Sequence, residues 1–415
     1  MITDTTPTWV RYSQTALPWL LPALLLFSRA IADLTVLLTG ILFLIWSFQR
    51  HDWLWARKPW FRLSLLLWAY LLLVNLPLSV DPSDSLLYAI TFMRWPLFAA
   101  ALAYWLLTSR DRQKHFLIAL LFTSLFIVLD TGWQYVTGVD WFGIPIAPEN
   151  RLTGPFRNPV AGIMMVRVEF ILLLALAVFS SLQSTYRQVL FIVGILLSFL
   201  LLIFITGERM AFMLCVSASL MVLLGVALQY PARQKLVVLG GLLLILIIIA
   251  LMFLLPEISQ RMVFSTVEKL QNFRESDYGQ VFRGAFEVWQ HYPWFGSGLH
   301  SYQAVCNELA VMANTPLECT HPHNLYLHIG AETGIVGVSL FCLMVLAIFH
   351  QALMSLWRQK SWLLLTISSA ILLLSFWPLI GGISLLNNWV AALVWLGVGW
   401  ALTVDLQHSS AEHSA

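Results

Sequence analysis

The chain has 415 residues, 59% of them hydrophobic and 11% charged, with a mean hydropathy of +0.80 and a formal net charge of +2. A soluble globular domain carries about 25% charged residues, so composition excludes that class, and the near-neutral balance names no partner. The apolar runs are about 18 to 22 residues long and lack the period-two alternation of an outer-membrane barrel, which leaves an all-α integral membrane protein.

In chain order, twelve transmembrane helices are expected near residues 16–30, 31–48, 62–80, 86–107, 115–136, 160–181, 188–206, 209–229, 236–255, 327–350, 362–382 and 385–404. The polar start, Met1 to Thr15, carries no obvious cleavable signal. Only Arg29 to Asp33 separates the first two spans, which read as a tight hairpin. Asp81-Pro82-Ser83-Asp84, Tyr230-Pro231 and Pro256-Glu257 punctuate later breaks. The whole of 1–415 reads as a single polytopic domain with two long loops, 137–160 and 256–326, and a short tail, 405–415. Within the larger loop, between spans nine and ten, Phe282 to Gln290 reads as a short amphipathic helix. The turn-rich Pro293-Trp294-Phe295-Gly296-Ser297-Gly298 follows. Nineteen Trp and eleven Tyr suit interfacial belts.

Cations orient the bundle. Arg11, Arg50, Arg57, Lys58, Arg62, Arg110, Arg112, Lys114, Arg187, Arg233, Lys235, Arg358 and Lys360 fall in short loops on one side, which the positive-inside rule makes cytoplasmic. Both termini are then inside. The remaining ten cations are Arg29, Arg94, Arg151, Arg157, Arg167, Arg209, Arg261, Lys269, Arg274 and Arg283. All lie in outward loops or the outer halves of spans, and nine are arginine, which grips phosphate oxygens in a fork and stays charged where water is scarce. Arg261, Lys269 and Arg274 read as solvated loop cations. Arg94, Arg167 and Glu169 sit inside apolar runs, where a charge faces protein or water and marks a pathway or a site.

Cys306 and Cys319 share the large outward loop, an oxidising compartment if the protein lies in a bacterial inner membrane, and are expected to pair. Such a bridge stabilises its loop by roughly 2–4 kcal/mol. A metal site is the rival reading, because Cys319, His321 and His323 alternate, but that spacing does not match the usual zinc patterns; no metal or other cofactor is expected.

The stretch Thr320-His321-Pro322-His323-Asn324-Leu325 opens the tenth span. It sets two imidazoles and an amide at the lip of the membrane, and histidine has the pKa suited to proton transfer near neutrality. Asn324 is a helix cap by position, and Asn324, His328 and Glu332 share one helical face at four-residue spacing. The bland reading is that the histidines are interfacial residues that cap a helix. Taken with the arginines, they read as an outward-facing cavity with cationic walls and a candidate base, suited to an anionic, membrane-borne substrate such as a polyprenyl diphosphate. No nucleotide-binding Gly loop, Ser-x-Gly elbow or paired-Asp metal motif is present, and no nucleic acid partner is expected.

Four stretches in order, Arg151-Leu152-Thr153-Gly154-Pro155-Phe156-Arg157-Asn158-Pro159, Thr206-Gly207-Glu208-Arg209, Arg283 to Gly298, and His323 to Gly334, resemble the O-antigen ligase and polymerase superfamily of bacterial inner membranes. The resemblance covers about residues 150–340. It implies a class C glycosyltransferase (GT-C) fold with a periplasmic site. The donor would be an undecaprenyl-diphosphate-linked glycan, and the acceptor a sugar hydroxyl of lipid A–core, with inversion and without a metal. By motif position, His323 would be the base and Arg209 and Arg283 would grip the diphosphate. Arg157, Arg151, Arg94, Arg167, Asn324, His321 and Glu332 complete the candidate donor- and glycan-binding set. Family members more often carry Ser or Thr where this chain has Glu208. A repeat-unit polymerase of the same superfamily shares this donor chemistry, and a twelve-span transporter is the rival from another class. A transporter would often show matching halves, and no halves match here.

Overall fold

The computed structural model describes residues 7–157, 161–179, 185–264, 267, 271–312, 318–379 and 388–412. In chain order its α-helices are α1 (Thr8–Leu26), α2 (Arg29–Arg50), α3 (Pro59–Tyr70), α4 (Pro82–Thr91), α5 (Arg94–Ala101), α6 (Arg110–Thr137), α7 (Ala161–Phe179), α8 (Thr185–Ile205), α9 (Arg209–Gln229), α10 (Gln234–Leu254), α11 (Pro256–Ser259), α12 (Asp277–His291), α13 (Tyr302–Met312), α14 (Leu325–Arg358), α15 (Trp362–Phe376) and α16 (Asn388–Glu412). No strand occurs among the described residues; the bridges Val139–Pro145 and Ala147–Arg151 stand alone.

Eight helical segments among the described residues are long and apolar enough to cross a membrane, and Pro59–Asn75, Trp362–Phe376 and Trp389–Val404 are shorter apolar helices. In lipid every backbone group must be satisfied within the chain, so uninterrupted apolar runs of this length fold as helices. Ala161–Val178 is 78% enclosed by its neighbours, whereas Pro231–Leu254 is 22% enclosed and leaves Leu239, Leu242 and Leu246 exposed. One lies at the centre of the bundle and the other on its rim.

Caps place the boundaries. The Ser28 hydroxyl accepts from the Ile31 N–H (3.5 Å) and starts α2, so the expected first span ends at Leu26 and the hairpin is tight. Asp81 caps α4 ahead of Pro82, Ser109 caps α6, and Gly138 ends α6 in the left-handed conformation. The amphipathic helix expected at 282–290 starts earlier, at Asp277, because Ser276 accepts from the Gly279 N–H (3.2 Å). Parts of three expected spans (160, 180–181, 380–382 and 385–387), Asn158-Pro159, Lys269, the first six residues and 413–415 lie outside the described residues. The last helix continues to Glu412, past the expected start of a tail at 405.

The tenth span is not one continuous helix. α14 breaks at Gly334 (φ 66°, ψ −173°), a conformation open essentially to glycine alone. The break frees the carbonyls of Ala331, Glu332 and Thr333, and the Pro293–Gly298 loop takes up the first two. The Ser297 N–H donates to Ala331 O and the Gly298 N–H to Glu332 O (both 3.0 Å), while the Ile335 N–H donates to Pro293 O (2.8 Å). Helix α3 ends in a π turn, Leu71–Asn75, and adds side chains to the same seam. Tyr70 Oη donates to Thr333 O (2.6 Å), and Asn75 Nδ2 donates to Glu332 O (2.9 Å) and Phe295 O (2.7 Å). Backbones approach so closely that a Cβ on Gly296 would stand 2.2 Å from Glu332 C, and one on Gly334 2.3 Å from Trp294 C. The turn-rich motif therefore wedges a half-helix, Leu325–Thr333, into a fixed position at one end of the bundle.

Candidate active site

That half-helix carries the His motif. Asn324 Oδ1 accepts from the N–H groups of Tyr326 (3.0 Å) and Leu327 (3.1 Å), so the cap expected from its position is formed. The Leu325 N–H donates to Pro378 O (3.0 Å) and Tyr326 Oη to Phe376 O (3.0 Å), tying the start of the half-helix to the end of α15. His323 immediately precedes the cap with φ 51°, an uncommon value for a residue with a Cβ. Its ring meets Tyr278 of α12 and His321, each at 5.6 Å between centroids. Burial pushes the His323 imidazole below its ordinary pKa, which keeps it neutral and able to accept a proton near neutrality.

His321 in turn meets His328 edge-to-face at 5.0 Å. His328 Nε2 lies 3.2 Å from Glu332 Oε1, with side chains 11% and 3% exposed. His321, His328 and Glu332 line a cavity of about 420 Å³, within the range of roughly 300–1,000 Å³ usual for ligand sites. Arg29, Asp33, Tyr88, Thr91, Arg94, His300, Tyr302 and Gln303 supply the rest of its polar wall, and Leu37 and Leu87 line its apolar side. Arg94 is held there: its Nε donates to Asp33 Oδ1 (2.9 Å), its Nη1 to Thr91 O (2.7 Å), and its guanidinium lies 4.5 Å over the Trp95 ring. His300 stacks on Tyr88 at 4.3 Å and places Nδ1 2.8 Å from Asp84 Oδ2.

A second cluster forms where the turn between α8 and α9 meets the 138–157 loop. Gln134 of α6 folds that loop by donating to Ile144 O and Thr153 Oγ1 and accepting from the Gly154 N–H. The Leu152 N–H donates to Thr206 O (3.2 Å), which brings Arg151 beside the turn. Arg151 Nη1 then donates to Glu208 Oε1 (3.3 Å). Arg261, expected as a solvated loop cation, is instead built into this cluster. Its side chain is 15% exposed, its Nε donates to Gly207 O (2.8 Å), and its Nη1 pairs with Glu149. Burial raises the Glu208 pKa, and Arg151, Arg261 and Arg209 act against that rise. Arg209 opens α9, and its Nε is buried without a hydrogen-bond partner among the described residues. A cavity of about 280 Å³ lined by Asn150, Leu152, Ile205 and Glu257 adjoins these residues.

The structure brings Arg94, His321 and Glu332 to one cavity with His323 in ring contact at its edge, and gathers Arg151 and Arg209 in the second cluster. Arg283 sits on the exposed face of α12, 4.0 Å from Glu287, about one and a half turns from the Tyr278 that touches His323. Arg157 is exposed, with φ 57°, at the end of the Gly154–Phe156 turn. Arg167 is enclosed within α7 and donates from Nη1 to Ile163 O (2.6 Å), while Glu169 accepts from Cys215 Sγ (3.4 Å); neither lines the two cavities. Cys306 and Cys319 are joined by a disulfide that ties α13 to the segment bearing His321 and His323. The Cys319 sulfur is thereby removed from any metal-ligating role. Sequence reasoning did not single out Asp33, Tyr88, Tyr278 or Tyr302. Only Asp33 left a trace, as the lone acid of the hairpin turn that opens at Arg29.

Comparison with known proteins matches the family described as O-antigen ligase over residues 192–342, a stretch that contains Arg209, Arg283, His323 and the break at Gly334. No curated protein matches the chain. Over that stretch the chain is similar to the O-antigen ligase family, and its set of helices fit to cross a bilayer is that of a multi-pass membrane protein.

Proposed function

We propose that the chain is an O-antigen ligase: a bacterial inner-membrane glycosyltransferase that moves a glycan from undecaprenyl diphosphate to a sugar hydroxyl of lipid A–core. In this reading the fold is of the GT-C type, with twelve spans, both termini cytoplasmic and the 137–160 and 256–326 loops periplasmic. The observation that carries it is the coincidence of the family match with a neutral, half-buried imidazole at the edge of a polar cavity, on a half-helix fixed by backbone bonds.

The mechanism follows from the residues. His323 accepts the proton of the acceptor hydroxyl as that oxygen attacks the anomeric carbon; help of this kind contributes about 10²–10⁴-fold. The bond from the anomeric carbon to the diphosphate oxygen breaks with inversion, and the electron pair leaves with the diphosphate. Fixed guanidiniums stabilise the charge that grows there, most of all in the transition state. Arg209 is suited to this because its buried Nε–H has no acceptor among the described residues. Arg151 reaches the same place by exchanging Glu208 for a phosphate oxygen, and Arg283, exposed on α12, supplies a further cation. Arg94, His321, Asn324 and Glu332 serve the glycan side, and the chemistry uses no cofactor.

The lipopolysaccharide of a strain lacking the protein tests the reading. Loss of all glycan-capped core supports a ligase. Core that bears a single repeat unit assigns the protein to polymerisation, and an unchanged pattern removes both.

A further inference from the structure

The mechanism leaves the second cavity unused. It is a groove of about 280 Å³ between the 146–152 loop, the end of α8 and the junction of α10 with α11. Aliphatic side chains, among them Leu152, Ile205, Leu255 and Ile258, make most of its wall. Its two ends differ in character. At one end stand Tyr135 of α6 and Leu254 of α10, 43% and 74% exposed, next to Val136 and Phe253, 80% and 82% exposed. Both helices are long and apolar enough to cross a bilayer, and apolar side chains left bare on such helices face lipid. At the other end Asn150 and Leu152 flank Arg151, and Ile258 precedes Arg261 by three residues. Arg151, Arg261 and Arg209 gather there about Glu208. Bonds between the walls fix the groove. Asn150 Nδ2 donates to Glu257 Oε2 (3.4 Å), and Arg261 donates to Glu149 O (3.2 Å) and Gly207 O (2.8 Å). The groove is therefore formed before a ligand arrives, as binding sites usually are.

We propose that this groove seats the first isoprene units of the polyprenyl diphosphate donor, with the diphosphate on the arginine cluster and the rest of the chain leaving between α6 and α10 into the bilayer. It rests on the lipid-linked donor of the glycosyl-transfer reading. A molecule with a long apolar chain and a diphosphate head matches both ends of the groove at once. The head finds Arg209, whose buried Nε–H has no partner among the described residues, and Arg151, which can trade Glu208 for a phosphate oxygen. The chain finds an aliphatic wall that opens on lipid. A soluble nucleotide sugar would leave that wall empty. The groove is remote from the bond that breaks, so the contacts it makes are the same in the ground state and the transition state. Its side chains therefore act on donor KM and not on kcat. Only the units next to the diphosphate are held, so chain length beyond them carries no weight.

The test uses the full-length protein in detergent and two donors with the same glycan diphosphate, one on undecaprenyl and one on a methyl group. Ile205→Trp fills the groove. It is expected to cut the preference for the undecaprenyl donor, read as the ratio of the two kcat/KM values, by about tenfold or more, through KM. Loss of the burial of about two methylene groups is enough for that factor. Leu254→Trp, at the exposed mouth, is expected to cut the preference by a few-fold, and it decides alone should Ile205→Trp not fold. Leu239→Trp, on the exposed rim of α10 some fifteen residues away, is the control and should leave the ratio unchanged. An unchanged ratio in the groove variants, or equal loss with both donors, overturns the proposal. A second readout needs no turnover. Undecaprenyl diphosphate with a photoreactive group on its first isoprene is expected to label the 146–152 or 254–258 segment, with excess undecaprenyl diphosphate competing and phosphatidylethanolamine not. Label elsewhere, or equal competition by the phospholipid, overturns the proposal. Specific labelling of the groove in a wild-type protein that transfers nothing defeats the ligase reading and keeps the lipid site. Transfer with the label elsewhere defeats only the groove.

Discussion

The two polar regions are built by different physics. Around the His motif the position is set by backbone: the carbonyls of Ala331, Glu332 and Thr333 are captured by the Pro293–Gly298 loop and by Tyr70 and Asn75. Around Arg209 a single backbone bond, from the Leu152 N–H to Thr206 O, joins loop to turn, and the charged groups are held by side-chain ion pairs, Arg151 to Glu208 and Arg261 to Glu149. Buried backbone bonds have no alternative partner in a dry seam, so they hold one geometry. Ion pairs between long side chains can exchange a carboxylate for another anion at little cost. The contrast suits a site in which the base must not move and the diphosphate clamp must open and close.

Substitutions sharpen that contrast, and the largest effect belongs to the base. His323→Ala should lower transfer by about 10²–10⁴-fold while the protein still inserts and melts normally; near-normal glycan attachment in that variant removes His323 from the chemistry. Arg209→Ala should lower kcat by about 10²–10³-fold, as loss of one fixed charge-stabilising donor does, with Arg209→Lys recovering part. Wild-type kinetics in Arg209→Ala would mean the orphaned Nε–H has no substrate to meet.

Gly334→Ala tests the backbone side. Left-handed strain of about 1–3 kcal/mol adds to a Cβ placed 2.3 Å from Trp294 C, so the melting temperature in detergent should fall markedly. Gly132→Ala, where nothing lies within 4 Å, is the control and should be nearly neutral. Equal melting of the two variants would contradict the wedge.

A smaller effect concerns pH. The neutral imidazole is the active form and burial lowers its pKa, so activity should persist as pH falls through the ordinary 6.5 and decline only below it. A midpoint at or above 6.5 would contradict the desolvated base. The smallest effect is expected for Glu208→Gln. Removal of the carboxylate that competes for Arg151 should tighten the donor KM by a few-fold, as for one partly exposed ion pair of up to about 1 kcal/mol, with kcat little changed.

The helices and their order were legible because apolar length alone forces helix in lipid, and caps such as Asn324 are local. The break at Gly334 was not. The 3.6-residue period runs on through 325–358, an isolated Gly is tolerated in a helix, and the partner loop lies some forty residues upstream. Arg261 was misjudged for the same reason: its partner Glu149 is 112 residues away. Sequence could group Arg94, His321 and Glu332 only by side of the membrane. That they share one cavity depends on packing between α2, α4 and α14, which no local pattern encodes.

The central claim is that this chain catalyses a group transfer rather than moving a lipid across the bilayer. Purified protein in detergent, given an undecaprenyl-diphosphate-linked glycan and lipid A–core and no nucleotide, should yield glycan-bearing lipid A–core with no sealed compartment present. Activity that appears only in sealed vesicles, as translocation of an unaltered donor, would contradict the account.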